Sequence, residues 1–246
     1  MSQQSLNNPS NDSISNTVQD TTVIIDTGCA NLNSVRYAFE RLNNDAAINT
    51  HVLVTDDLTL IKAATRVVLP GVGSAGAAMN SLQNKQLINL IKGLTQPVLG
   101  VCLGMQMMST LSSERGGKDK DCECLGLIPT QISELDSRGA PLPHIGWNQI
   151  MPSAHPLFDG IKAGSYVYFV HSYRAPLSDY TIARCQYGET FSAAIAKDNF
   201  MGVQFHPEKS SDVGANILSN FVNMNSNTDF NAFTPLTLSN PVETNV

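Results

Sequence analysis

The sequence has little of several features that would each indicate a particular class of protein. Only 15% of its 246 residues are charged, and no apolar run approaches the roughly 18 residues of a membrane-spanning helix. Basic residues number 15 against 21 acidic ones, and a net charge of −6 argues against a nucleic-acid partner, which requires a basic face. The first twenty residues lack the basic segment and the apolar core of a signal peptide. We therefore expect a cytoplasmic protein that binds neither nucleic acid nor a membrane.

Cysteine is also scarce, with five residues at irregular spacings. An odd and irregular set does not form a disulfide framework, which suits a reducing compartment. Cys122 and Cys124 flank a single glutamate, but the sequence offers no second pair of ligands near them, so we expect no metal site.

Cys102 lies between two glycines, in the pattern Gly-x-Cys-x-Gly. An apolar run from Pro97 to Val101 precedes it, and an apolar stretch of helical character, Met105 to Leu111, follows it. A buried strand that turns sharply into a helix is how hydrolases expose a nucleophile, and the glycines permit that turn. A thiol needs little activation to form the reactive thiolate. The alternative is a buried structural cysteine beside two turn glycines.

Apolar periodicity divides the chain into two parts. Strands and helices alternate in the first part, which predicts a parallel sheet covered on both faces, with the site at the carboxyl ends of the strands. Closely spaced strands in the second part predict an antiparallel or mixed section of the sheet, followed by a final helix. Strands are expected at 23–25, 51–55, 66–69, 97–101, 132–135, 166–173, 181–186 and 191–196, and helices at 33–42, 58–64, 78–91 and 212–223.

A glycine-containing loop, Pro70-Gly71-Val72-Gly73, directly follows the third strand. Glycines at the end of a strand let backbone N–H groups point into a cleft, as an oxyanion site requires. The alternative is an ordinary turn between a strand and a helix.

A histidine and a carboxylate follow another apolar strand two residues apart, as His206 and Glu208. Pro207 favours extended geometry at His206, and in an extended chain residues i and i+2 project to the same side. Glu208 can then hold one ring nitrogen while the other faces a thiol. The alternative is a solvated surface pair. Together with the Cys102 turn and the glycine loop, however, this pair meets three independent requirements of acyl transfer.

These segments resemble the signatures of class I glutamine amidotransferases, on residues 100–104 with Gln106 and on residues 203–208. Within that class the chain is similar to the glutaminase subunits of imidazole glycerol phosphate synthases, which act in histidine biosynthesis. That likeness rests on the segments 26–34, 70–73, 143–148, 169–173 and 205–210. The resemblance implies a three-layer, flavodoxin-like α/β fold whose mixed, largely parallel sheet carries helices on both faces. It covers a domain at 21–224, between a disordered N-terminal tail at 1–20 and a loosely attached C-terminal extension at 225–246.

The resemblance also implies roles for individual residues, with no cofactor and no metal. Cys102 would attack the carboxamide of L-glutamine, His206 would carry the proton to the leaving ammonia, and Glu208 would hold the imidazole. The further implied residues are Val72, Gly73 and Leu103 for the oxyanion hole, and Gly71, Gln106, Ser172 and Tyr173 for glutamine binding.

The family delivers ammonia to a separate cyclase subunit, a (β/α)8 barrel, in a heterodimer. Asn31, Trp147 and Lys209 correspond to interface residues, although Trp147 could equally be a core aromatic residue. His144 and His171 are expected near the subunit contact and the glutamine pocket. The charged stretch 112–124 is expected to be a surface loop that does not touch the catalytic segments.

Three other functions remain open on this evidence. A stand-alone cysteine hydrolase would be fully active without a partner, and a catalytically silent binding subunit would lack one of the three catalytic residues. Another class I amidotransferase would share the cysteine and histidine segments, but would not account for the segments at 26–34 and 143–148.

Overall fold

The computed structural model describes residues 20–28, 32–45, 47–114, 121–225, 227–230, 233 and 236. The strands are β1 (Thr21–Ile25), β2 (His51–Thr55), β3 (Arg66–Gly71), β4 (Val98–Cys102), β5 (Leu111–Ser112), β6 (Cys122–Glu123), β7 (Gln131–Glu134), β8 (His144–Pro152), β9 (Ser165–His171), β10 (Tyr173–Arg174), β11 (Thr181–Tyr187), β12 (Glu189–Lys197) and β13 (Phe200–Val203). The helices are α1 (Leu32–Asn44), α2 (Leu58–Ala63), α3 (Ala75–Asn84), α4 (Leu87–Lys92), α5 (Leu103–Met107) and α6 (Ser211–Asn223), with short 3-10 turns at Pro156–Phe158 and Pro207–Lys209.

Nine strands form one mixed sheet in the order β2-β1-β3-β4-β13-β12-β11-β8-β9. Pairing is parallel from β2 to β13 and antiparallel from β13 to β9. A small second sheet has the order β10-β7-β5-β6. We call the strands β2, β1, β3, β4 and β13 the parallel half, and β12, β11, β8 and β9 the antiparallel half.

Helices cover both faces of the sheet because successive residues of the parallel strands point to opposite sides. Ile24 of β1 joins a core cluster that contains residues of α1 and α6. Its neighbours Val23 and Ile25 join a second cluster that contains residues of α2, α3 and α4. The predicted three-layer α/β architecture is confirmed.

Several elements differ from the sequence prediction, including the strand predicted at 166–173, which divides into β9 and β10. The helical pattern predicted at 78–91 forms two helices, because Gln86 adopts a left-handed conformation between them. The helix expected from Met105 to Leu111 ends at Met107, and the chain then enters the short strand β5. Strand β8 was not predicted, although it is nine residues long.

The described part of the C-terminal extension is packed on the domain and is not loose. Phe230 is buried, and Phe233 makes an edge contact with the ring of His155. The backbone N–H of Leu236 donates a hydrogen bond to the carbonyl oxygen of Thr181. The predicted tail at 1–20 lies outside the described residues except for Asp20. Among the helices described, none is long and apolar enough to cross a membrane.

Candidate active site

Cys102 lies at the sharp turn from β4 into α5. Its backbone has φ 54° and ψ −111°, a strained conformation for a residue other than glycine. The helix can begin so abruptly because Gly104 packs against the backbone of β3, where a Cβ atom would collide with the carbonyl oxygen of Leu69. This turn holds the thiol at the carboxyl end of the parallel half.

His206 and Glu208 follow β13, which pairs directly with β4. The Nδ1 atom of His206 lies 2.8 Å from Oε1 of Glu208, and both side chains are almost fully buried. Burial alone would lower the pKa of His206, but hydrogen bonds to the Cys102 sulfur and to the Glu208 carboxylate outweigh it and raise that pKa to about 10. His206 therefore holds a proton at neutral pH, beside a sulfur that can attack a carbonyl group.

A cleft of about 380 Å³ opens beside Cys102 and His206. The predicted site residues that also line it are Val72, Gly73, Leu103, Gln106, Ser172, Tyr173 and Lys209. Gly73 has φ +92°, a conformation that glycine adopts readily, and a Cβ atom at this position would meet nothing within 4 Å.

Three predicted residues that the structure describes do not line this cleft, and one of them is Glu208, the hydrogen-bond partner of His206. Gly71 ends β3 and packs against the backbone of Gly104. Trp147 lies on β8 and is 52% exposed, which removes the alternative that it is a core aromatic residue. Asn31 lies outside the described residues.

Glu114 lines the cleft, which corrects the expectation that the stretch 112–124 does not touch the catalytic segments. Strand β5 returns the chain to the site, and the carboxylate of Glu114 accepts a hydrogen bond of 2.7 Å from the backbone N–H of Ala75, in the first turn of α3. Burial raises the pKa of Glu114. No local sequence signal marks this residue, because a glutamate in a charged stretch is usually solvated. Residues 115–120 lie outside the described part of the chain.

Two further residues beside Cys102 were not identified from the sequence. Gln204 is fully buried, and its Nε2 atom lies 3.8 Å from the Cys102 sulfur. The backbone carbonyl oxygen of Val170 lies at the same distance from that sulfur. His171, expected near the glutamine pocket, lines the cleft.

The family model described as "Glutamine amidotransferase class-I" matches residues 23–224. The chain belongs to the class I glutamine amidotransferases. It is 73% identical over 207 residues to a protein of Shewanella sediminis named "Imidazole glycerol phosphate synthase subunit HisH", a match that covers 84% of this chain and 92% of that protein. A protein of the same name from Colwellia psychrerythraea is 52% identical over 215 residues, covering 83% and 93% of the two chains.

Solved structures show the same fold at low identity. A putative GMP synthase protein from Thermoplasma acidophilum superposes with a TM-score of 0.61 at 15% identity, over 83% of this chain and 93% of that one. A glutamine amidotransferase from Thermotoga maritima gives a TM-score of 0.56 at 16% identity, over 84% and 99%. The chain is therefore a glutamine amidotransferase, an enzyme that hydrolyses the side-chain amide of glutamine.

Proposed function

We propose that this chain is the glutaminase subunit of an imidazole glycerol phosphate synthase and acts in the cytoplasm, in histidine biosynthesis. It hydrolyses L-glutamine and passes the ammonia to a cyclase subunit that forms imidazole glycerol phosphate and AICAR. The observation that carries the proposal is the 73% identity to a named subunit of that enzyme, over 84% of this chain and 92% of that protein. The geometry of the cleft supplies the mechanism.

The reaction begins with the Cys102 sulfur attacking the side-chain carbonyl carbon of glutamine. The carbonyl oxygen becomes an oxyanion, which the backbone N–H groups of Leu103 and of the Val72–Gly73 loop stabilise. Loss of one such donor typically costs about 3 kcal/mol of transition-state stabilisation. His206, held by Glu208, gives its proton to the departing nitrogen, so that ammonia leaves and a thioester remains.

The second half of the reaction releases glutamate. His206 is now neutral and takes a proton from water as the water oxygen attacks the thioester carbon. The C–S bond breaks, glutamate leaves, and the proton returns the site to its starting state. Glu208 keeps Nδ1 of the imidazole protonated throughout, so that Nε2 is the nitrogen that faces the reacting atoms.

The cleft also offers partners for the amino-acid end of glutamine. Glu114 is the carboxylate among the residues that line the cleft, and it suits the α-ammonium group. Ser172 and Tyr173 also line the cleft, and in this proposal their backbone groups bind glutamine. Both N–H groups of Gln106 are used within the protein, on the carbonyl oxygen of Tyr173 and on Oε1 of Gln204, which leaves its Oε1 atom for the substrate.

The cyclase subunit docks, in this proposal, on one face of the β8–β9 strand pair. We call this the outer face, and it consists of Ile145, Trp147, Gln149, Tyr166, Tyr168 and Val170. Ile145, Trp147 and Tyr166 are each more than half exposed, at 59%, 52% and 53%. Such a group of large apolar side chains is typical of a docking surface.

The outer face is also continuous with the cleft. Val170 lines the cleft, and Nζ of Lys209 lies 5.9 Å from the centre of the Tyr168 ring. Trp147 contacts the same ring edge to face, with 6.0 Å between centroids. A partner seated on the outer face would therefore cover the mouth of the cleft, so that ammonia could pass to it without release to water.

The test is glutamate release by the purified chain, first alone, then with the cyclase subunit, then with the cyclase and its ribonucleotide ligand together. We expect little release by the chain alone and strong activation in the full mixture. The Cys102→Ala variant in the full mixture gives the background rate of glutamate release. Equal activity in all three conditions would contradict the proposal and favour a stand-alone cysteine hydrolase.

A further inference from the structure

We propose that Gln204 donates a hydrogen bond to the Cys102 thiolate, and that a chain of amide and imidazole groups reaching to β8 fixes its side chain in that orientation. The inference deepens the proposed function, because it rests on Cys102 being the nucleophile. It adds Gln204 to the groups that touch a reacting atom, and makes His144, His171 and Gln106 positioning residues.

The orientation of Gln204 follows from one backbone carbonyl group. The carbonyl oxygen of Tyr173 can only accept, so the atom of Gln106 that lies 3.1 Å from it is the donor nitrogen Nε2. The same nitrogen lies 3.0 Å from the side chain of Gln204, which must therefore present its oxygen there. The amide nitrogen of Gln204 is then the atom directed at the Cys102 sulfur, at 3.8 Å.

The Tyr173 carbonyl group also fixes His171. Nδ1 of His171 lies 2.9 Å from that oxygen and must carry a proton. Burial lowers the pKa of His171 to about 3, so the ring is neutral and its Nε2 atom can only accept. The neighbouring Nδ1 atom of His144, 3.0 Å away, is therefore a donor. Burial lowers the pKa of His144 to about 4, so its Nε2 atom is an acceptor.

The hydrogen bonds of Asn148, at the other end of this chain of side chains, independently give the same donor and acceptor nitrogens for His144. Nδ2 of Asn148 lies 2.9 Å from the carbonyl oxygen of Gln186, and Oδ1 of Asn148 accepts from the backbone N–H of Gln149 at 2.8 Å. Both contacts require the same assignment of the nitrogen and oxygen atoms of the Asn148 side-chain amide. The second hydrogen on Nδ2 then points to Nε2 of His144, at 3.3 Å. Backbone groups at both ends therefore permit one set of tautomers.

Packing holds the imidazoles in place. The ring of His144 is stacked between Phe169 and Tyr187, with centroids 4.8 and 4.0 Å away. His144 and His171 are paired across β8 and β9, on the side of the strand pair opposite the outer face. The chain therefore runs from the buried side of the antiparallel half to the nucleophile in the parallel half.

The sulfur of Cys102 needs a hydrogen-bond donor at this position when it is ionised. As a thiol, Cys102 can donate to the carbonyl oxygen of Val170, 3.8 Å away. As a thiolate, it would face that oxygen with its own negative charge. The amide N–H of Gln204 supplies positive potential inside the protein, and the His206 imidazolium supplies it from the cleft.

The first measurement is the alkylation rate of Cys102 by iodoacetamide, followed by peptide mass spectrometry in the wild type and in Gln204→Met. Met has a similar length and no N–H. We expect alkylation at pH 7 to be about tenfold slower in Gln204→Met, because one charge-assisted hydrogen bond is lost. At a pH high enough to ionise the thiol in both proteins, the rates should agree within about twofold.

The other titratable groups that face Cys102 are unchanged by this substitution. They are His206 with its partner Glu208, His171, Glu114 and Lys209, and all remain in the variant. Gln131→Met, on an exposed position of β7, is the matched control and should alkylate at the wild-type rate. His144→Phe keeps the ring stack but removes the donor to His171, and it should slow alkylation at pH 7 in the same direction by about twofold to threefold. Equal rates at pH 7 in folded Gln204→Met and wild type would overturn the proposal.

A second measurement needs no variant and tests the chain directly. Nitrogen-15 NMR of the histidine rings should show His144 and His171 neutral, with the proton on Nδ1 in both. A proton on Nε2 of either ring would overturn the proposed direction of the chain.

Failure of this inference is distinguishable from failure of the proposed function. If alkylation depended on Gln204 but the chain released no glutamate even in the full mixture with the cyclase subunit and its ligand, the proposed function would be wrong and the inference would stand. Full glutaminase activity with alkylation independent of Gln204 would mean the reverse.

Discussion

The two halves of the sheet differ in what they bury and what they expose. In the parallel half, β3 and β4 are buried along their whole length and end in the glycine loop and in Cys102. In the antiparallel half, β8 buries polar residues such as His144 and exposes Ile145 and Trp147. The difference supports the division of labour that we propose, in which the parallel half carries the nucleophile and the antiparallel half binds the partner.

The largest effect is expected from the nucleophile of the parallel half. Cys102→Ala should lower glutamate release by at least about 10⁴-fold, since the thiol forms the covalent intermediate. Binding of the cyclase subunit should be unchanged, because the outer face is intact. Cys122→Ala, in the small second sheet, is the control and should keep full activity. Residual release by Cys102→Ala at a tenth of the wild-type rate would remove Cys102 from this role.

Two glycine substitutions compare the packing of the two halves, at Gly104, which packs against β3 of the parallel half, and at Gly146, which lies on β8 of the antiparallel half. Gly104→Ala should cost about 3 kcal/mol or more of unfolding free energy, because the new Cβ atom meets the backbone of Leu69. Gly146→Ala on β8 should cost only about 1–2 kcal/mol, since the position has φ +133° but open space around it. Urea unfolding measures both, with Gly93→Ala as a nearly neutral control. Equal costs at the two positions would contradict the contrast in packing.

The outer face is tested by its central aromatic residue. Trp147→Ala should raise the dissociation constant for the cyclase subunit by about 30-fold or more, as an aromatic anchor is lost. The stability of the isolated chain should hardly change, because the side chain is already 52% exposed. Leu60→Ala removes an apolar side chain of similar exposure from α2 in the parallel half and should leave binding intact. Titration calorimetry gives the dissociation constants of both variants. Unchanged binding by Trp147→Ala would contradict the assignment of the outer face to the partner.

Acid should destabilise the protein through two buried histidines, His171 on β9 and His155, which precedes the 3-10 turn at Pro156–Phe158. Burial lowers the pKa of His155 to about 4 and that of His171 to about 3, whereas both have ordinary values near 6.5 in the unfolded chain. The unfolded state therefore binds more protons as the pH falls below about 6.5, and each histidine costs about 1–2 kcal/mol of stability between pH 7 and pH 5.

His155→Asn isolates one of these contributions. Asn can still accept the hydrogen bond that Nδ1 of His155 receives from the backbone N–H of Leu157, but it does not titrate. Between pH 7 and pH 5, the variant should lose about 1–2 kcal/mol less unfolding free energy than the wild type does. His51→Asn, on an exposed position of β2, should behave as the wild type does. Identical pH profiles for all three proteins would refute the assignment.

The parallel half could be predicted from the sequence because its strands are continuous apolar runs. Strand β8 could not be predicted, because apolar side chains of this strand are exposed and polar ones are buried. Ile145 and Trp147 point outward to the surface that we assign to the partner, while His144 and Asn148 point inward and are satisfied by each other. A rule that buries apolar side chains fails on a strand whose apolar face is kept for another protein.

Cys102, His206 and Glu208 could be identified from short local patterns, and the remaining site residues came from the family resemblance. The residues missed from the sequence depend on distant contacts. Gln204 meets Gln106 and Cys102 across about a hundred positions of the sequence. Glu114 reaches the cleft because α5 ends at Met107 and β5 begins at Leu111, where a longer helix was expected. Neither arrangement leaves a periodicity or a spacing that the sequence alone displays.

Hydrogen–deuterium exchange of the chain, alone and with the cyclase partner, tests the division of labour most directly. We predict that the partner protects the backbone of 144–149 and 166–170, while exchange in β1 and β2 stays the same. Protection of the parallel half with an unchanged β8–β9 pair, or no protection anywhere, would contradict the account.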